Sequence, residues 1–309
     1  MTFRPKIFTA HLLTIILWAS AFPGIRMALT AYTPTHVSLL RLLVGSLLLL
    51  VVALFIKLPL PDLKDIPIIL LLGFLAFAVY HVALNYGEQT VSAGPASLLV
   101  STAPIFTAIM AVVFFRERFK LQGWIGAFIA IVGVGFISLG GSEEISFNLG
   151  AMLILLAALS ESVYFVFQNA YLQKYGFFPF TMYTIWGGTI CMLVFSGGLL
   201  QEMATAPIDV TMAVVYLGIF PTVIPYFAIA YVTSKTGAAE ATSSLYLTPV
   251  FAFLIAWIWL GETPAASAII GGVITLLGVF ISNMRNEEQV GTNEHDVMSH
   301  EQTGNLFDA

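Results

Sequence analysis

Between residues 7 and 284 the chain is written as ten apolar blocks: 7–29, 34–56, 66–87, 93–115, 121–140, 148–172, 178–200, 210–232, 237–259 and 265–284. A helix needs roughly 20 apolar residues to cross the hydrocarbon of a bilayer, so each block is predicted to be a spanning helix. The separators are short and carry turn or charge signals: "YTPT", "KLPLPDLKD", "EQTVSAG", "RERFK", "GGSEEIS", "KYGFFP", "EMATAPID", "SKTG" and "GETP". Neighbouring helices are therefore expected to form antiparallel hairpins, with no segment long enough for a soluble domain. Only 9% of the residues are charged, against about 25% in soluble domains, so the chain cannot cover a water-facing surface.

The run up to Leu29 has no clean small-x-small cleavage site before polar sequence, and is expected to remain as the first spanning helix. The net charge of −5 is uninformative, because Glu287, Glu288, Glu294, Asp296, Glu301 and Asp308 all lie in the polar tail. No nucleic-acid partner is suggested; the lipid bilayer is the expected surrounding. Cys191 is the single cysteine, so neither an intrachain disulfide nor a thiol-metal cluster is expected.

Orientation follows from lysine and arginine, which favour cytoplasmic loops. With the N-terminus in the cytoplasm, Arg4, Lys6, Lys57, Lys64, Arg116, Arg118, Lys120, Lys174, Lys235 and Arg285 all fall on that side: ten of the twelve cations. Glu143, Glu144, Glu202 and Asp209 fall outside. Both termini are expected in the cytoplasm.

A shift of 145 residues aligns the chain with itself. Leu72 meets Leu217, Gly73 meets Gly218, Pro104 meets Pro249, Glu117 meets Glu262, Gly126 meets Gly271 and Gly133 meets Gly278. Apolar identities come easily in this composition, but Pro, Glu and Gly matches in one register do not. The chain is read as two copies of a five-helix unit. Five is odd, so the second copy enters from the opposite face. "FRERF" keeps its cations on the cytoplasmic side, and "LGETP", the same corner outside, has none. The expected fold is an all-α membrane protein with ten transmembrane helices in two inverted five-helix repeats around a central cavity. The repeats span 1–140 and 141–285, and a disordered acidic cytoplasmic tail covers 286–309. Secondary transporters use inverted repeats of this kind, with the substrate site near the midplane between the halves.

The stretch "AGPASLLVSTAPIFTAIMAVVFFRERFKLQGWIGAFIAIVGVGFI" and its counterpart "TGAAEATSSLYLTPVFAFLIAWIWLGETPAASAIIGGVITLLGVFI" closely resemble the EamA domain of the drug/metabolite transporter superfamily. "LWASAF" in the first block also looks like the start of such a unit, and the resemblance covers residues 7–284. It implies ten helices and export or exchange of a small metabolite, often an amino acid, across a bacterial inner (plasma) membrane. Members differ widely in substrate, so the resemblance does not choose one. The chain is expected to work as a monomer or weak homo-oligomer, with no cofactor.

Several residues are candidates for transport. Pro104 and Pro249 sit near mid-span and free the carbonyls of Val100 and Leu245, so they are read as gating kinks, with packing kinks as the rival. Pro221 and Pro225 have no counterparts at Ala76 and Tyr80, so span eight is expected to be the more irregular of its pair and to bring Tyr226 against the cavity. Ser97, Ser101 and Pro104 share a helix face, as do Thr242, Tyr246 and Pro249, and are read as cavity lining or as interhelical hydrogen-bonding groups. His81, Asn85 and Glu88 form another stripe, with Glu88 near the outer, solvated end. Trp18 and Phe22 are read either as an aromatic cavity wall or as lipid-facing packing. Gly126, Gly133, Gly271, Gly272 and Gly278 are assigned to close helix packing. Arg41, two turns inside span two, is expected to snorkel or pair with a helix end, with a direct substrate role as the other reading.

Glu161 is the sharpest candidate. It lies about halfway along span six, with Tyr164, Phe165 and Gln168 on its face. An intramembrane carboxyl usually faces a cavity or another helix. Here it either exchanges a proton and accepts a substrate ammonium, or locks two helices together. No P-loop pattern occurs, so ATP drive within the chain is not expected. An intramembrane enzyme would need clustered acid–base or ligand residues; Glu161, His81 and Arg41 fall on three different helices, and no catalytic or metal-ligating residue is expected. The leading reading is a secondary active exporter; the alternatives are a channel and a nucleoside, lipid-linked or other metabolite flippase or permease.

The topology is testable. A cysteine at Arg118 is expected to label only from the cytoplasmic side, and one at Thr263 only from outside; labelling of both from one side ends the inverted-repeat reading.

Overall fold

The computed structural model describes residues 5–56, 58–115, 121–139, 149–263 and 265–283. Lys57, the cationic stretch 116–120, the loop with Glu143 and Glu144, Pro264, and the acidic tail including Arg285 lie outside the described residues. Among the described residues every regular element is helical. Chain order runs α1 (Pro5–Ala28), α2 (Pro34–Phe55), α3 (Ile66–Gly73), a π-helical stretch (Phe74–Val79), α4 (Tyr80–Gly87), α5 (Ala93–Val100), α6 (Ala103–Phe115) and α7 (Leu121–Leu139). It continues with α8 (Leu149–Tyr175), α9 (Phe177–Met192), α10 (Leu199–Thr205), α11 (Ile208–Ile219), α12 (Ile224–Thr236), α13 (Ala238–Ser243), a 3-10 turn (Ser244–Leu247), α14 (Thr248–Leu260) and α15 (Ala266–Asn283).

Among the described residues, six helical stretches are long and apolar enough to cross a membrane: 5–28, 34–55, 63–87, 149–175, 177–195 and 208–236. Shorter apolar helices include 244–260 and 269–278. Large apolar side chains such as Phe55, Leu54, Phe128 and Ile258 are exposed on the bundle's outside, where they meet lipid tails. The chain is a multi-pass membrane protein.

The span with the expected kink at Pro104 is broken, and the one with Pro249 passes through a 3-10 turn. α5 stops at Val100 and α6 restarts at Ala103, putting Pro104 second in the new helix. α13 gives way to the 3-10 turn, and Pro249 is second in α14. Proline is tolerated there because first-turn N–H groups have no intrahelical acceptor. Pro221 lies in the turn between α11 and α12, and Pro225 is second in α12. Span eight is therefore irregular, as expected, but its counterpart is not regular: the π-helix at 74–79, shifted by 145 residues, falls on 219–224. No proline or glycine inside the stretch signals it.

Glycine sets the tightest helix contacts. α7 packs along α15, where a Cβ on Gly278 would meet Ala130 N at 2.3 Å and one on Gly133 would meet Thr275 N at 2.4 Å. α3 and the π-helix press on α9 in the same way: a Cβ on Gly188 would meet Phe77 Cβ at 2.5 Å and Gly73 O at 2.7 Å. Backbones approach this closely only without side chains between them.

Polar networks tie each end of the bundle. At the end where α1 stops, Arg26 Nε lies 3.3 Å from Glu262 Oε1, Arg26 Nη1 donates to the Glu88 carbonyl at 2.6 Å, and Ala93 N donates to Glu262 Oε2 at 3.1 Å. At the far end of α2, Lys174 Nζ meets Asp62 Oδ2 at 2.6 Å and Asp65 Oδ2 at 2.5 Å, and Tyr175 OH donates to Asp65.

Gly188→Ala is expected to lower stability by about 1–3 kcal/mol, because its clashes are with backbone and a ring-bearing Cβ that cannot swing away. Gly197→Ala, with nothing within 4 Å of the added Cβ, is expected to melt like wild type. Thermal unfolding of both variants in one detergent checks this.

Candidate functional site

A cavity of about 30 Å³ lies among α1, α2, α4, α8, α12 and the two broken spans. α1 contributes Trp18, Ala21 and Phe22, at helical spacing on one face. α4 contributes Tyr80, His81 and Leu84, starting where the π-helix ends. The α5–α6 break contributes Ser97, Val100, Ser101, Ala103 and Pro104. Arg41 enters from α2, Glu161 from α8, Tyr226 from α12, and Leu245 and Thr248 from the second break. This volume holds about two waters; a larger occupant requires the walls to part.

The polar groups are held in defined states. Tyr226 OH donates to Glu161 Oε1 at 2.9 Å, and Glu161 is 2% exposed. His81 Nδ1 lies 2.7 Å from the Phe77 carbonyl. A carbonyl only accepts, so Nδ1 carries the proton, and Nε2 bonds none of the described residues. Ser101 and Ser97 donate to the carbonyls of Ser97 and Gly94, at 2.9 and 2.5 Å, and keep acceptor lone pairs. Trp18 Nε1 donates to the Pro221 carbonyl at 3.1 Å, and its ring meets Tyr226 edge-on at 5.2 Å. Phe77 backs Tyr226 at 4.6 Å.

Nine of the candidate residues singled out in the sequence share this cavity: Trp18, Phe22, Arg41, His81, Ser97, Ser101, Pro104, Glu161 and Tyr226. The others do not line it. Asn85 is fully buried against α2, its Nδ2 donating to Pro34 O at 3.1 Å and Ser38 Oγ at 2.8 Å. Tyr164 packs among Phe77, Phe165 and Phe180, with its hydroxyl 3.5 Å from Thr184 Oγ1. Gln168 is buried one turn further along α8, and among the described residues its side-chain amide has no hydrogen-bond partner. Tyr246 packs with Ile109 against Ile105 and Ala130. Leu245 and Thr248 take the place foreseen for Tyr246, because a 3-10 turn of about 3.0 residues changes which side chains face inward. Pro249, Pro221 and Pro225 sit at helix breaks beside the cavity, and Pro221 touches it through its bond to Trp18.

Two expectations need correction. Glu88 is not solvated; it is fully buried, and among the described residues neither carboxylate oxygen has a hydrogen-bond partner. Arg41 does not snorkel: it is 2% exposed, and its Nε donates to Thr222 Oγ1, just past the end of α11, at 3.0 Å. Its depth in span two was the available signal. Tyr80 and Thr248 were missed, the first because the π-helix that turns it inward has no sequence mark. Among the described residues no three His, Cys, Asp or Glu side chains stand together as metal ligands would.

A family model described as the EamA-like transporter family matches residues 5–139 and again 148–284. An uncharacterized transporter, YdfC of Bacillus subtilis (strain 168), is 55% identical over 280 residues, covering 91% of this chain and 92% of that one. A probable terminal-alkyne amino-acid exporter of Streptantibioticus cattleyicolor is 36% identical, covering 91% and 94%. The uncharacterized inner membrane transporter YedA of Escherichia coli (strain K12) is 29% identical, covering 85% and 86%. A solved crystal structure superposes with a TM-score of 0.63 at 16% identity, over 91% of this chain and 98% of that one, which shows a shared fold.

Trp18→Phe keeps the ring but leaves the Pro221 carbonyl without its donor. It is expected to cost about 1–3 kcal/mol of stability, read as a lowered melting temperature. An unchanged melt would mean that this carbonyl finds another donor.

Proposed function

The chain belongs to the EamA-like transporter family, and on that footing we propose that it is a secondary active exporter of a small amino acid or similar metabolite, working by alternating access and coupled to protons through Glu161. The observation that carries this reading is Glu161 itself: a carboxyl buried midway along α8 on the wall of a cavity, with one oxygen held by Tyr226 at 2.9 Å. Such an intramembrane acid is a functional group by default. The relative named as an amino-acid exporter favours that substrate class. On this reading the protein is a carrier, not an enzyme, and it resides in a bacterial inner membrane with both termini in the cytoplasm.

The same reading takes residues 1–140 and 141–285 as two inverted five-helix units enclosing the cavity, ten spans in all. Two features support it: the family model matches once in each half, and the helix breaks fall at corresponding positions, 74–79 with 220–223 and 101–102 with 244–247. These breaks are hinges at which the spans can bend as the cavity opens to one side or the other.

In the coupling step, ionised Glu161 holds a substrate ammonium. Proton entry neutralises the carboxylate, the hold is lost, and the substrate leaves as the proton stays. A gradient of one pH unit is worth about 1.4 kcal/mol, enough for roughly tenfold accumulation in one-to-one exchange.

Glu161→Gln keeps the shape and can still hydrogen-bond, but cannot titrate. It is expected to abolish pH-driven uphill export from proteoliposomes while sparing substrate-for-substrate exchange. Wild-type uphill export by this variant, with unchanged pH dependence, removes the coupling role.

A further inference from the structure

Arg41 is a fixed positive charge in the same cavity as Glu161, and the described contacts leave most of its guanidinium unused. Its single bond is Nε–H to Thr222 Oγ1 at 3.0 Å; Thr222 in turn donates to the Leu217 carbonyl at 2.8 Å, which fixes the hydroxyl as an acceptor toward Arg41. Among the described residues, no carboxylate comes within 4.0 Å of the guanidinium and no group accepts from its two Nη atoms. Arginine does not give up its proton in proteins, and an isolated buried charge is strongly disfavoured. A side chain 2% exposed at this depth, clamped by Nε with its Nη edge open to a cavity, is arranged as a receptor. That edge matches the two oxygens of a carboxylate.

Glu161 presents the complementary end, with Oε1 taken by Tyr226 and Oε2 bonded to none of the described residues. We infer that Arg41 is the carboxylate anchor of the transport site and that, with Glu161 as the ammonium acceptor, it makes the protein selective for zwitterionic α-amino acids. This inference rests on the proposed exporter reading and deepens it by giving Arg41 a role. The pair is separated, not bridged, so each charge awaits the opposite charge of one substrate. Such a substrate neutralises both at once and adds no net charge to the cavity. An amine without a carboxylate leaves Arg41 unpaired; an acid without an amine leaves Glu161 unpaired. The cavity wall also carries the aromatic Trp18, Phe22 and Tyr80, which suit an apolar side chain.

The test uses the purified full-length protein, with ligand-induced thermal stabilisation and counterflow in proteoliposomes as readouts. The probes are the proteinogenic amino acids, their carboxamides, and the corresponding decarboxylated amines. Wild type is expected to prefer each accepted amino acid over its carboxamide by about 30-fold or more, as expected for loss of a bidentate charge-assisted pair. Arg41→Gln is expected to collapse that preference to within about threefold by weakening the free acid alone. A merely structural arginine would lower the melting temperature and leave the ratio unchanged. Should Arg41→Gln not fold, Thr222→Val removes the hydroxyl that clamps Nε, together with its bond to the Leu217 carbonyl, and a ratio reduced by about fivefold is expected. A wild type that accepts amino acids and carboxamides equally, or variants that keep the full preference, overturns the Arg41 assignment while leaving the exporter reading intact. A wild type that accepts no amino acid overturns both.

Discussion

Hydrocarbon contains no water, so each backbone N–H and C=O inside it must find its partner within the protein. An unbroken helix meets that requirement alone; an interrupted one does not. This chain interrupts four spans, and at three of the interruptions side chains donate to the backbone. Ser160 of α8 donates to the Leu75 carbonyl at 2.7 Å and His81 to that of Phe77 at 2.7 Å, both inside the π-helix. Trp18 of α1 donates to Pro221, and Ser162 of α8 to Ala103 at 2.8 Å. The cavity lies where these repairs are made, because irregular backbone is tolerated only where protein covers it or a polar space receives it.

The same residues therefore serve two purposes. Trp18 lines the cavity and satisfies Pro221; His81 lines it and satisfies Phe77, and that bond fixes its tautomer; Thr222 closes the end of α11 and orients Arg41. Site and scaffold are not separable here, so a substitution in the cavity acts on stability as well as on binding. Glu161 and Arg41 differ from their neighbours in this respect. Among the described residues, neither side chain donates to or accepts from a backbone group; their bonds run to the side chains of Tyr226 and Thr222.

Much of this was legible from residue order. Runs of apolar residues mark spans because the bilayer has a fixed thickness, and Pro104 and Pro249 mark breaks because proline lacks an N–H. Glu161 stands out because a carboxyl at mid-span has no cheap solvated state. What was not legible depends on partners distant in sequence. The π-helix at 74–79 is held by α8 and by its own downstream histidine, not by any residue that breaks helices. Tyr246 was placed inward on a 3.6-residue turn, and the 3-10 turn moved it out. Glu88, next to polar loop sequence, reads as solvated until the Arg26–Glu262 network is seen at the same bundle end.

The π-helix bears on α4 in a further way. Its closing bond runs from Tyr80 N–H back to the Leu75 carbonyl, five residues instead of four. A π turn thus holds one residue more than an α turn, and relaxing it to α-helix rotates everything beyond it by one residue's share, about 100°. Tyr80, His81 and Leu84 all lie beyond it. Such a relaxation turns α4 like a key: an imidazole and a phenol leave the wall together, and the Asn85 bonds to α2 and the close Gly87 contact with α8 have to be remade.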